Sequence, residues 1–188
     1  MDNILIISLR PLEPVRSGFQ NTVYLLNEAL KDKFISNFLL IENENDVDPV
    51  FGLDYSAYCD KKLDEAIIRF SPKFIFVNTS KLLHLYNKVL FKNDNRIILI
   101  CHDLYFFRKK YFVKNKKIDI TKITKKQEID VLSKCEYIID FAHYEYDFLA
   151  RNSIQKSKLF FTMTPVKINA FNYFFRTPKF TKPSMSLF

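Results

Sequence analysis

Six short apolar runs divide this chain, and a helix-like segment fits between most neighbouring pairs. They are Asn3–Ser8, Phe38–Ile41, Phe74–Val77, Ile97–Cys101, Tyr137–Phe141 and Leu159–Thr162. The first and fourth are almost wholly apolar, as expected for strands buried on both faces of a parallel sheet. A helix is expected over 18–32, with Val23, Leu26 and Leu30 as its buried stripe and Ser17 with Gln20 as a capping box. Asp60 is placed to cap a helix over 61–70, where Leu63, Ala66, Ile67 and Phe70 fall on one face and Pro72 stops the run. Ser80 is expected to cap a helix carrying Leu82, Leu83, Tyr86, Val89 and Leu90. Thr124 and Gln127 offer a capping box for a helix ending near Lys134, and one more helix is expected over 143–151. Strand–helix alternation of this kind builds right-handed βαβ units. The fold class is therefore α/β, a doubly wound, mainly parallel six-stranded sheet with helices on both faces.

The chain has 188 residues, 48% of them hydrophobic, which is enough for one domain with a real core. Residues 1–164 account for the alternating pattern. Residues 165–188 change character, with Pro178 and Pro183 among Phe171, Tyr173, Phe174 and Phe175, and read as an aromatic tail or the start of an interdomain linker. The two glycines, Gly18 and Gly52, leave no G-x-G-x-x-G or P-loop pattern. Cys59, Cys101 and Cys135 are widely spaced, with no CxxC pair, and are expected to be free thiols in a reducing compartment. No apolar stretch approaches the length of a membrane span, and the start lacks a signal-peptide pattern, so a cytoplasmic protein is expected.

Charge is unevenly distributed. Residues 1–100 hold 12 basic and 13 acidic side chains, whereas residues 101–188 hold 17 and 8. The excess in the second half points to an anionic partner: a membrane surface, a sugar phosphate or a nucleic acid. Tyr105–Lys117 concentrates it, with six basic residues, five aromatics and no acid. Arg108, Lys109, Lys110, Tyr111 and Phe112 are its membrane-contact candidates, by aromatic insertion at the headgroups and attraction to anionic lipid. Stacking on single-stranded nucleic acid is a weaker reading, and a solvated basic loop whose aromatics fill the core is the plain one.

In a doubly wound sheet ordered 3-2-1-4-5-6, strands 1 and 4 would be neighbours at the switch point, where ligands bind outside the carboxyl ends. That order selects Arg10, Arg16, Ser17 and Gly18 after the first run and His102 and Asp103 after the fourth.

The stretch from Ile97 to Leu149 adds a more specific pattern. It runs from an apolar strand ending in His102-Asp103, through a helix with Glu128, a Cys135-Glu136 turn and a short strand, to Ala142-His143-Tyr144-Glu145. Together with Arg16-Ser17-Gly18, it resembles the Rossmann-like N-terminal, acceptor-side domain of a GT-B glycosyltransferase of family-4 type, over about residues 3–164. The resemblance implies a nucleotide-sugar donor, no further cofactor and a glycan or lipid-linked acceptor, with a role in cell-surface polysaccharide or glycolipid synthesis. His102 matches the histidine that faces the acceptor or the transferred sugar and is the candidate catalytic residue. Arg16, Ser17, Gly18, Asp103 and Glu145 are substrate-binding candidates. Ser17 replaces one glycine of the family's pair, and Ala142 or His143 stands where a serine is common. The donor contacts of such enzymes lie in a C-terminal domain that the chain does not match. Activity is therefore expected only with a separate C-terminal donor-binding partner, whether the chain is a truncated product or one subunit of a split enzyme.

Each candidate also has a plain reading. His102 would cap the strand, Asp103 and Gly18 would shape turns, Arg16 would be solvated, and Glu128 and Glu145 would pair with helix ends or nearby basic groups. His84 is expected on an amphipathic helix and His143 near a helix start. The competing class is a non-catalytic module that binds an anionic membrane or a glycan through the basic-aromatic stretch. No H-E-x-x-H, Cys/His zinc spacing or G-x-S-x-G elbow is present, and Asp64-Glu65 lies on an ordinary amphipathic helix.

Overall fold

A computed structural model describes residues 1–9, 18–41, 55–104, 106–107, 124–152 and 154–162. Six parallel strands form one sheet: β1 (Asp2–Ser8), β2 (Phe34–Leu40), β3 (Phe74–Asn78), β4 (Ile97–Cys101), β5 (Tyr137–Asp140) and β6 (Leu159–Phe161). The helices are α1 (Gly18–Leu30), α2 (Tyr55–Phe70), α3 (Ser80–Leu85), α4 (Asn87–Leu90), α5 (Lys125–Leu132) and α6 (His143–Arg151).

The strand order is β2-β1-β3-β4-β5-β6, not the 3-2-1-4-5-6 expected. β1 pairs with β2 and β3, and β4 pairs with β3 and β5. The connection leaving β2 crosses over β1 to reach β3, so the winding reverses between β1 and β3. No local property of a run reports on which side of β1 the next strand docks.

Side-chain alternation gives the sheet two apolar faces. On one, Ile4, Ile6, Phe76, Ile98 and Ile100 meet Val23 of α1, with Leu26 and Leu30 beside them. On the other, Leu5, Ile7, Ile75, Val77, Ile97 and Leu99 meet Leu63 and Ala66 of α2, Leu82 and Leu83 of α3, Leu90 of α4, Leu132 of α5 and Leu149 of α6. All five residues of β4 are buried, as a strand covered on both faces requires.

Local boundaries differ from expectation where packing overrides a weak signal. β2 begins at Phe34, because an edge strand tolerates polar Ser36 and Asn37, and the Asn37 amide donates to the Ile4 carbonyl. α2 begins at Tyr55, so Asp60 lies inside the helix rather than capping it; nothing in Tyr-Ser-Ala-Tyr-Cys breaks a helix. At its other end Ser71 adopts φ 42°, its amide bonds the Ile67 carbonyl, and Pro72 follows. The single helix expected after Ser80 is two, broken at Tyr86, where Asn87 Nδ2 donates to the His84 carbonyl at 2.7 Å. Its cap is Thr79, since the Ser80 hydroxyl is committed to the Asp103 carbonyl at 2.9 Å. The Thr124–Gln127 capping box forms as read. Cys101 and Cys135 are buried free thiols, also as read; the Cys59 side chain lies outside the described residues.

Candidate functional site

The carboxyl ends of β1, β3 and β4 finish in Ser8, Asn78 and Cys101, with His102 next. A polar side chain ending a buried strand needs a partner, because burying an amide unpaired costs on the order of 1–3 kcal/mol. Asn78, fully buried, finds two. Its Nδ2 donates to Ser8 Oγ at 3.3 Å, and its Oδ1 lies 2.9 Å from His102 Nε2. The imidazole also stacks on Phe141, just past β5, with centroids 5.1 Å apart and planes inclined by 24°. The chain Ser8–Asn78–His102 thus crosses the reversal point between β1 and β3 and continues to the end of β4.

Thr79 follows Asn78 at φ 111°, ψ 140°, a conformation open essentially to glycine alone. Its backbone N–H is held by the Ile100 carbonyl at 3.1 Å, and its hydroxyl accepts from Lys81 N. Strain of this kind, about 1–3 kcal/mol, collects where the surroundings over-determine a geometry, and functional edges are common examples.

The loop after β4 is held from beneath. Ser80 Oγ donates to the Asp103 carbonyl, Glu145 Oε1 accepts from Leu104 N at 3.0 Å, and Glu128 Oε2 accepts from Phe106 N at 2.7 Å. Phe107 and Phe106 then pack on Phe148 of α6, at 4.7 Å and 5.9 Å between centroids. Glu128 and Glu145 are both almost wholly buried and carry loop amides. His84 sits against Glu128 at 3.8 Å, and His143, exposed at the start of α6, pairs with Asp147 at 3.3 Å.

Asp140 ends β5 beside Cys101. Its carboxyl is pushed up to about 6 and that of Glu145 to about 7, in each case chiefly by burial. Burial likewise drives the Cys101 thiol well up and the Cys135 thiol to about 12, so both stay protonated and unreactive. Cys101, Asp140 and Glu145 place one ligand-type atom each within 4.8 Å of one another. A tetrahedral zinc site needs such atoms about 3.5 Å apart, so these three would have to close in to hold one.

Among the sequence candidates, the structure brings His102 and Asp103 to the sheet edge and places Glu145 under the loop they begin. Gly18 opens α1, whose amide end lies at the same edge by the topology of a parallel sheet. Arg10, Arg16, Ser17, Arg108, Lys109, Lys110, Tyr111 and Phe112 lie outside the described residues. Asn78, Ser8 and Phe141 were not anticipated. The signal that marked His102, a polar residue closing an apolar run, also marks Asn78 and Ser8.

No protein-family model and no curated protein matches this chain. Several solved structures are similar to it, among them the following two. One is Anabaena Alr3699/HepE, solved in complex with UDP-glucose: 10% identity, TM-score 0.49, covering 90% of this chain and 45% of that one. The other is Glycyrrhiza uralensis UGT73P12, solved with glycyrrhetinic acid 3-O-monoglucuronide: 10% identity, TM-score 0.37, covering 86% and 42%. The chain spans less than half the length of either. Neither likeness carries an argument about chemistry, which rests on the side chains above.

Proposed function

We propose that this chain is the acceptor-side domain of a glycosyltransferase that moves a sugar from a nucleotide-sugar to a glycan or lipid-linked acceptor. In this reading His102 faces the acceptor, and a separate donor-binding domain completes the active site. The observation that supports it is the Ser8–Asn78–His102 chain, which sets an oriented imidazole beside the winding reversal, where doubly wound sheets bind ligands. Gly18 and Asp103 are the substrate contacts at that edge in this reading, with Arg16 and Ser17, which directly precede Gly18 in the sequence, as further candidates. Stabilisation of the departing diphosphate is assigned to the partner domain.

Calorimetry with a nucleotide-sugar panel and with glycan or lipid-linked acceptors tests this, on the chain alone and mixed with a donor-type domain. Acceptor binding by the chain alone, lost in His102→Ala, and turnover only on mixing are the expected results. Donor turnover by the isolated chain, or acceptor binding indifferent to His102→Ala, would overturn it.

The basic, aromatic composition of Tyr105–Lys117 favours a second role for the same domain: peripheral attachment to anionic membrane through Arg108–Phe112. No helix among the described residues is long and apolar enough to cross a membrane. Salt-sensitive binding to vesicles rich in phosphatidylserine, abolished by Lys109→Glu with Lys110→Glu, is expected. Equal binding by the double variant would exclude this role.

A further inference from the structure

Cys101 and Asp140 pair in register at the carboxyl ends of β4 and β5, so their side chains share a face of the sheet. It is the face of Ile97, Leu99 and Ile138, which α6 covers. Glu145 lies one turn before the core residue Leu149 on α6 and meets the same face. Each of the three residues is at most 1% exposed. One sulfur and two carboxyl oxygens come within 4.8 Å of one another.

Acidic groups closed off from water need hydrogen-bond donors or a cation. The backbone satisfies only half of this need. Asp140 Oδ1 accepts from Ala142 N at 2.8 Å, and Glu145 Oε1 accepts from Leu104 N at 3.0 Å. The Cys101 thiol also lies beside Asp140, and the Tyr144 hydroxyl beside Glu145. The second oxygens, Asp140 Oδ2 and Glu145 Oε2, are nevertheless enclosed and accept no hydrogen bond among the described residues. Asp103 adds a negative charge that acts on both carboxyls, and Glu128 adds another that acts on Cys101.

We propose that Cys101, Asp140 and Glu145 bind one zinc ion, with a thiolate and one oxygen from each carboxylate as ligands and water completing the tetrahedron. A thiolate selects a borderline-soft ion, whereas magnesium and calcium prefer oxygen alone and more ligands than three. The fit needs little movement. Three atoms no more than 4.8 Å apart share a point at most about 2.8 Å from each, against zinc bond lengths of about 2.0–2.3 Å. Each donor therefore moves in by less than about 1 Å. The Ala142 and Leu104 amides hold the other oxygens and orient the carboxylates, as outer-shell partners do in metal sites. Without metal the three groups keep their protons, since burial disfavours all three charges. Zinc displaces those protons, so its binding strengthens as pH rises. Entry is past Asp103, which is only partly buried, by release of the Leu104 N–H from Glu145. Once bound, the ion ties β4, β5 and α6 together directly behind His102. This role goes beyond the glycosyltransferase reading and does not depend on what His102 faces.

The test is titration of the full, reduced, chelator-treated chain with Zn²⁺ by calorimetry and with Co²⁺ by absorption. One equivalent of Zn²⁺ is expected to bind, with release of about one proton or more at neutral pH, read by comparing buffers of different ionisation enthalpy. Co²⁺ is expected to give a thiolate-to-metal charge-transfer band. Cys101→Ala should abolish that band and weaken Zn²⁺ binding by more than about 100-fold, the upper cost of losing an outer-shell partner. Asp140→Asn should weaken Zn²⁺ binding likewise, and decides the matter if Cys101→Ala fails to fold, because it removes a buried acid. Cys59→Ser and Cys135→Ala, each alone, should keep both signals. Absence of Zn²⁺ binding by a chain shown folded by circular dichroism overturns the proposal. Binding indifferent to Cys101→Ala and Asp140→Asn, or lost on substitution of Cys59 or Cys135, places the ion elsewhere and also overturns it. Displacement of Zn²⁺ by millimolar Mg²⁺ or Ca²⁺ would contradict a thiolate ligand. If zinc binds as stated while acceptor binding survives His102→Ala, the glycosyltransferase reading fails and the metal site stands.

Discussion

Asn78 Oδ1 and His102 Nε2 lie 2.9 Å apart, so the loop after β4 is tied to the end of β3, the strand on the far side of the winding reversal from β1. Asn78 is fully buried and His102 only partly so, which makes their truncations unequal. Asn78→Ala is expected to lose about 1–3 kcal/mol of unfolding free energy, because it strips a buried network. His102→Ala is expected to lose less, about 1 kcal/mol, since water can reach part of the vacated space. Urea unfolding followed by circular dichroism compares them, and a larger loss for His102→Ala would contradict the burial argument.

Thr79 offers a test of strain. Thr79→Gly removes the penalty of a β-branched residue at φ 111° and forfeits a long cap bond to Lys81 N at 3.4 Å. Relief of about 1–3 kcal/mol against a glycine entropy cost of about 0.5–1 leaves a net gain of about 1 kcal/mol. Thermal unfolding should show a higher midpoint for Thr79→Gly and a lower one for Thr79→Val, which keeps the strain and loses the cap. A destabilised Thr79→Gly would mean that the strain is not there to be released.

Asp140 and Glu145 give a pH dependence of definite sign. Both carboxyls titrate higher in the folded chain, at about 6 and about 7, than their ordinary values of 3.8 and 4.5. Over that window the folded state holds more protons than the unfolded one, so stability falls as pH rises. The contribution is fully present below the ordinary carboxylate range and is lost by the time pH has passed about 7. Its size is on the order of 2–3 kcal/mol per group. Asp140→Asn should flatten the Asp140 part of the slope. A stability that rises through this range in the unsubstituted chain, and does not respond to Asp140→Asn, would count against raised carboxyls.

Glu128 and Glu145 should control how tightly the loop after His102 is held, since they accept from Phe106 N and Leu104 N. Amide hydrogen exchange at Phe106 is expected to accelerate about tenfold in Glu128→Ala, the equivalent of one hydrogen bond of about 1.4 kcal/mol, with Leu104 less affected. In Glu145→Ala the order should reverse. Uniform acceleration across the sheet in either variant would indicate global destabilisation instead of a local tie.

Much of the architecture was legible because strands buried on both faces must be apolar throughout. Ile97–Cys101 could be read in place for that reason, whereas Phe34–Asn37 of the edge strand could not. The helix break at Tyr86 was hidden, since the apolar stripe continues through it and the interruption comes from the Asn87 amide reaching back to His84. His102 stood out as a polar residue closing an apolar run. Asn78 carries the same signal, but an asparagine after a strand also fits a turn, so the sequence does not single it out. Glu145 looked like an ordinary first-turn acid, and its burial under Leu104 depends on how α6 lies against the end of β4.

By itself the sequence determined that this chain builds a parallel, doubly wound α/β sheet, because apolar runs and amphipathic spacings report directly on which residues leave water. It also determined that His102 ends a buried strand. Only the tertiary structure decided that β3 docks between β1 and β4, and hence that Ser8, Asn78 and His102 join into one chain of contacts. Those partners are 70 and 24 residues apart in sequence. Strand order and register bring them together, through free-energy differences spread over the whole core that no single segment records.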